Sequence, residues 1–395
     1  MAPRTVPLAL VSAAWLTLAA PVRAQEARVS MADALRAAQR VAPELVVARA
    51  REGVARADVG VAGAYPANPS FAAGTSTQTA RFSGTLSVPL ILLGQRGAAV
   101  DAARADEATV LLDTQVAWND VRQATEHAYV ALWLAEGVAG ARRDAAILEG
   151  RLEDAVIQRV QVGAAPELEA LRVRAERARA EADVIDANAE IVVASADLSR
   201  WMAATDGAAL RASEDPPVPE TLPPLDVLAA RIDLSSPVRR ERSDERAANV
   251  RADRERALAR PALSLDLGAD VDDPTLRPAD NPGATPPVNW RAQVTVELPL
   301  FNRRGANVDR ERAAGEVARS RAVAARVRAL ADLTAAYRAY EAAGARQRVL
   351  RETVVPAAEG AAKASEEAYA LGRAQLFAVL DAERVVVDAH VTALQ

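Results

Sequence analysis

Few side chains in this 395-residue sequence are equipped for chemistry. There is no cysteine, and only two histidines (His127 and His390) and three methionines (Met1, Met31 and Met202) occur. Disulfides, thiolate nucleophiles, Cys-ligated metals and a lipid-modified N-terminal cysteine are therefore excluded. Each histidine stands without a neighbouring Cys, Met or second His, so the ligand spacing of a transition-metal site is absent. No nucleophile constellation and no phosphate loop of the GxxxxGK[ST] type is present. Acidic residues are plentiful, 53 against 48 Lys plus Arg, but their pattern is that of solvated helix faces. The sequence therefore reads as a non-enzyme with no cofactor and no metal site. Its net charge of −5 also argues against a nucleic-acid partner.

The elements that would position any functional residue are unusually long. Half the residues are hydrophobic but only 4% are aromatic, because alanine supplies much of the apolar total. Arg4, the apolar stretch Val6 to Ala20 and the small-x-small site Val22-Arg23-Ala24 read as a secretory signal peptide over 1–24. No later apolar run reaches the ~18 to 20 residues that a spanning helix needs. If the mature chain crosses a bilayer, strands must do it. Proline is missing between Pro89 and Pro166, Pro166 and Pro216, and Pro299 and Pro356, which allows three very long helical regions. In the first, Val110, Ala117, Ala124, Ala131 and Val138 recur every seven residues, with Thr114, Val121, Ala128 and Ala135 on the alternate seam. Such heptads with small cores predict closely packed coiled-coil helices.

Two segments alternate with period two instead. Leu263, Leu265 and Leu267 face Val294, Val296 and Leu298 across a Pro-rich loop placed over Asp270 to Asn289, which predicts a hairpin with one apolar face. A fainter hairpin runs from Ser70 to Thr79 and from Phe82 to Leu90. An internal repeat links the two. Ser87-Val88-Pro89-Leu90 with Gln95-Arg96-Gly97-Ala98 matches Glu297-Leu298-Pro299-Leu300 with Arg303-Arg304-Gly305-Ala306. Val162-Gly163 with Leu168 and Leu171 matches Leu371-Gly372 with Phe377 and Leu380, so Gly163 and Gly372 mark turns between long helices. The expected organisation is a first repeat over 25–212, a Pro-rich linker over 213–224 and a second repeat over 225–395. Each repeat reads as helix, β-hairpin and two long helices, the last one short or continuing beyond the sequence.

In this order of elements the sequence resembles the TolC-like outer membrane efflux protein family. Tyr65-Pro66-Ala67-Asn68-Pro69 and Leu298-Pro299-Leu300-Phe301-Asn302-Arg303 look most like its CzcC-like branch, which serves heavy-metal efflux. The resemblance implies a fold that is mainly α with a β-barrel contribution: a trimeric tunnel in which each protomer adds two β-hairpins, or four strands, to one barrel. It implies an outer-membrane channel of a tripartite efflux system, reaching into the periplasm, that works with a periplasmic adaptor protein and an inner-membrane pump of the RND type. Four strands cannot close a barrel, and open edges are not tolerated in lipid, so a membrane role itself demands a homo-oligomer.

The family places its adaptor-docking tips at the turns matching Gly163 and Gly372. Tyr369 matches a gate tyrosine, Glu169 the acidic residue it bonds, and Asp381 one member of an acidic pore ring whose other position holds Ala378. Arg373 lies one position from the family's gate arginine. The implied function is a passive export duct for heavy-metal cations. Its alternatives are a type I secretion or drug-efflux duct, or, from another class, a secreted coiled-coil scaffold without a pore.

Overall fold

The computed structural model describes residues 27–65, 68–76, 81–204, 209–219, 221–272 and 288–395. The expected signal peptide and most of the expected 270–289 loop lie outside them. The dominant element is α3, Gln95–Gln161, one helix of 67 residues, about 100 Å long at 1.5 Å per residue. It turns into α4, Glu167–Met202, and the two pack side by side. Helix α1 (Met31–Val41) packs on both, and α2 (Pro43–Gly63) and α6 (Ser236–Leu258) also lie along α3. Helix α6, which follows the short α5 (Leu225–Ala229), packs in turn on α7, Gly305–Val349.

Burial along α3 follows the heptad with one correction. Val121 and Ala128 are buried and Ala135 is partly so, as the alternate seam requires. The other seam runs through Thr125, Leu132 and Ala139, one residue beyond the expected Ala124, Ala131 and Val138; Ala131 is exposed. In so alanine-rich a helix, adjacent registers look alike, and the large Leu132 decides between them. Thr125 tolerates burial because its hydroxyl donates to the Val121 carbonyl at 2.7 Å.

The third helical region continues past Pro356 to the turn at Gly372, because α7 runs through a π-turn at Leu350–Val354 into α8, Val355–Ala370. A proline lacks the N–H that would bond four residues back and clashes with that carbonyl; the wider turn relieves both problems. The last helix, α9, is Leu376–Leu394.

Three-residue strands are too short to show alternation, and one such pair escaped the sequence reading. Strand β1, Ala27–Val29, pairs in parallel with β4, Leu210–Ala212. It packs with Ala34, Tyr129, Leu132, Ile191 and Leu198 into one core cluster. The Pro-rich segment that follows is held by side chains of the long helices. Tyr129 donates to the Glu214 carbonyl at 2.8 Å, Trp133 Nε1 to Asp215 at 2.8 Å, and Tyr340 to the Pro219 carbonyl at 3.0 Å.

The remaining strands form one antiparallel sheet in the order β2 (Ser70–Ser76), β3 (Arg81–Leu90), β5 (Ala262–Asp272) and β6 (Val288–Glu297). Strands β5 and β6 reach further into the expected loop than Asp270 and Asn289. Asp270, a poor strand former by itself, is buried and receives Arg291 at 3.1 Å across the ladder.

The register puts Leu86, Leu267 and Ala292 in line, and likewise Val88, Leu265 and Val294, and Leu90, Leu263 and Val296. Because side chains alternate along a strand, one face of the whole sheet is apolar. The other carries Ser83, Thr85, Ser87, Ser264, Asp266, Asp270, Arg291, Gln293 and Thr295. On that face Asp266 accepts from Ser87 and, at 2.8 Å, from Thr295. Strands β2 and β6 are unpaired on their outer edges, and every residue of β6 is exposed. No helix among the described residues is long and apolar enough to cross a membrane.

Candidate functional site: the helix tips

Both long-helix reversals use the same local chemistry. At the end of α3, Gly163 N–H donates to the Val160 carbonyl and Ala164 N–H to the Arg159 carbonyl, at 3.0 and 2.8 Å. At the end of α8, Gly372 donates to Tyr369 at 2.9 Å and Arg373 to Ala368 at 2.8 Å. These paired bonds satisfy helix-end carbonyls and require a left-handed residue at the first position past the helix. Gly163 has φ +72° and Gly372 φ +69°. Nothing lies within 4 Å of a Cβ built on either, so a substitution meets backbone strain and no clash. Gly163→Val and Gly372→Val are each expected to cost about 1–2 kcal/mol. Thermal unfolding of the solubilised protein would check this, and sheet assembly should be unchanged. A loss of assembly with intact tips would show that the glycines serve the sheet instead.

Between the two turns the structure brings Tyr369 and Glu169 together. The phenol donates to Glu169 Oε2 at 2.9 Å. Around it Val156, Val173, Leu376 and Val379 are buried, so Tyr369 is contributed by α8 to a cluster of all four tip helices. Burial first, and then the Glu169 carboxylate, push the Tyr369 hydroxyl up to about 12. The phenol therefore remains a donor throughout the physiological pH range.

A third member of this contact was not singled out from the sequence. Arg159 Nη1 donates to the Tyr369 carbonyl at 2.8 Å, and the guanidinium lies 4.4 Å from the centre of its ring. A cation on a terminal helix carbonyl is favoured by the helix dipole, and the ring face adds to the attraction. The only advance signal was position: Arg159 stands four residues before Gly163, on the last turn of its helix. The cation over Tyr369 thus comes from α3, while Arg373 is exposed.

Asp381 is not joined to this contact. It is exposed on α9 and has no bonded partner among the described residues. Glu153, by contrast, is bound by Arg177 at 2.9 Å and Arg174 at 3.2 Å, which tie α3 to α4 just above the turn. These bonds, Arg177's first, hold its carboxyl below the usual range. His127 and His390 lie on different helices, and His390 contacts Glu359 at 3.0 Å. Among the described residues no group of three acidic or histidine side chains could hold a metal ion.

Comparison with known proteins agrees with this architecture. Residues 232–395 match the model of the family described as outer membrane efflux protein. The cobalt-zinc-cadmium resistance protein CzcC of Cupriavidus metallidurans is 26% identical over 329 residues, 80% of this chain and 72% of the relative. Among solved structures, the outer membrane protein VceC of Vibrio cholerae aligns with a TM-score of 0.73 at 18% identity, covering 92% of this chain and 91% of that one. The CmeC outer membrane channel of Campylobacter jejuni aligns with a TM-score of 0.68 at 16% identity, covering 99% and 90%. With long paired helices and two β-hairpins in one sheet, the chain has the fold of these outer membrane channels, and its residues 232–395 carry the match to the outer membrane efflux protein family.

Proposed function

We propose that the chain is a protomer of a homotrimeric outer-membrane duct, the passive exit of a tripartite efflux system. The observation that carries this reading is the four-stranded sheet, with one apolar face and two unpaired edges. Unpaired edges in lipid cost several kcal/mol per backbone group, so each outer edge must meet the opposite edge of another copy. Part of α7 agrees: from Glu341 to Val349 every residue is exposed, which leaves a helix end uncovered among the described residues. In the trimer the tips formed around Gly163 and Gly372 dock a periplasmic adaptor protein, and an inner-membrane pump, of the RND type, supplies the energy. Tyr369 and Glu169 hold the periplasmic end closed. The division into repeats over 25–212 and 225–395, joined by the 213–224 linker, follows the same reading.

The cargo is proposed to be heavy-metal cations. Support comes from CzcC, a cobalt-zinc-cadmium resistance protein. Asp381 adds to it: three copies around the pore axis would form an acidic ring that favours cations. Fractionation with outer membranes, a trimer in mild detergent and ion conductance in planar bilayers test the duct. A folded monomer without conductance would remove it. Loss of zinc and cobalt tolerance on gene deletion tests the cargo; loss of drug tolerance or of protein secretion instead would reassign it. Asp381→Asn is expected to lower cation-over-anion selectivity by roughly tenfold, the lower end of what a like-charged cleft contributes, without opening the closed end. Reversal potentials in asymmetric salt measure this, and unchanged selectivity would take Asp381 out of the pore.

A further inference from the structure

One turn beyond the Tyr369 cluster, α9 carries a carboxylate that the duct reading does not use. Glu383 is only 5% exposed, and its Oε2 is buried without a hydrogen-bond partner. Glu149 of α3 likewise has a buried, unpartnered Oε2, and Glu366 of α8, itself exposed, lines an adjoining cleft together with Glu383. Nearby cations are engaged elsewhere. Arg384 of α9 bonds Glu176 of α4 at 3.3 Å, Arg142 of α3 pairs with Asp183 of α4 at 3.4 Å, and His390 pairs with Glu359. Arg351 of the π-turn, Arg151 and Asp144 of α3, Arg179 of α4 and Asp388 of α9 also line these spaces but are exposed. Glu383 sits on the wall of a cleft of about 600 Å³ between α3, the π-turn and α9, so protons can reach it.

We propose that Glu383, with Glu149 and Glu366, is a proton-operated spacer that lets α9 pack on α3 when protonated and loosens that packing when ionised. The geometry carries it: Glu383 and Glu149, from two helices, each bury a carboxylate oxygen without a hydrogen-bond partner, the exposed Glu366 adds a like charge from α8, and the nearby Arg384 is bonded to Glu176, so the buried pair is costly to keep fully charged. Burial first, then Glu149 and Glu366, push the Glu383 carboxyl up to about 7; burial, then Glu176, raises Glu149 also, against Arg384. The sign follows. For an acid whose packed-state value lies above its free value of 4.5, packing is fully favourable below about 4.5. It weakens as pH rises to about 7 and is level above that. The packing consequence is independent of the proposed gate; only a consequence for closure would rest on that reading.

Hydrogen exchange of the reconstituted full chain tests it, with amide protection in α9 corrected for intrinsic rates. From pH 5 to 7 protection is expected to fall by up to about tenfold per unit. Glu383→Gln, which keeps shape and removes the charge, should hold the acid-level protection at every pH, and Glu149→Gln should shallow the slope. His390→Gln should leave the slope intact. A flat wild-type profile, an unchanged slope in Glu383→Gln, or loss of the slope in His390→Gln would each overturn the proposal. Tyr369→Phe separates the two readings: if the gate reading alone is wrong, its conductance is unchanged while the wild-type slope persists.

Discussion

Tyr369→Phe and Glu169→Gln are each expected to raise the leak through the closed periplasmic end in single-channel recordings. The contact joins a buried phenol to a carboxylate at 2.9 Å. A hydrogen bond to a charged group contributes about 1–3 kcal/mol, and that range corresponds to roughly a fivefold to hundredfold shift in an opening equilibrium. Because both substitutions break one bond, the double variant should shift by less than the sum of the two. Arg159→Gln should act in the same direction through a different route. It removes the donor to the Tyr369 carbonyl and the cation on its ring, while leaving the phenol free to reach Glu169. The raised phenol value fixes the pH behaviour: the donor's contribution is complete below 10 and is lost only as pH climbs toward about 12. The tyrosine contact should therefore show no titration between pH 5 and 9. Closed-state conductance unchanged in both Tyr369→Phe and Glu169→Gln would mean that the bond holds something other than a gate.

Most of this arrangement could be read in the sequence wherever one residue type has few local solutions. The left-handed turns needed Gly163 and Gly372, and the matched residues after each fixed their equivalence. Alternation of Leu263, Leu265 and Leu267 against polar neighbours gave the sheet its faces. Registers among near-identical residues were harder. One alanine seam of α3 differs from the next by a single position, and only Leu132 separates them. The π-turn at Leu350–Val354 that lets the helix pass Pro356 is announced by no local motif. Arg159 and the Glu149–Glu366–Glu383 space were illegible for a related reason. Each is an ordinary charge at helical spacing, and its meaning comes from helices far away in the chain. A buried carboxylate cannot be distinguished from a solvated one until the facing element is known.

The largest effect is expected in the sheet. Leu267 lies midway along β5 on the apolar face, between Leu86 and Ala292, and is 44% exposed. If that face meets lipid, Leu267→Arg places a charge in hydrocarbon at a cost of roughly 2–4 kcal/mol per copy. Three-fold symmetry repeats the penalty in every protomer, which is enough to abolish assembly of a barrel built from three sheets. Thr85 lies on the opposite face, aligned with Gly268. On the same condition Thr85→Arg points into the barrel interior, so the protein should still fractionate as a trimer with outer membranes, with altered conductance. The paired outcome separates a barrel from a secreted scaffold. In a soluble coiled-coil protein the exposed Leu267 would gain solubility from arginine, and neither variant would change its compartment. Equal tolerance of both substitutions, or selective loss of Thr85→Arg from the membrane fraction, would mean that the apolar face does not contact lipid.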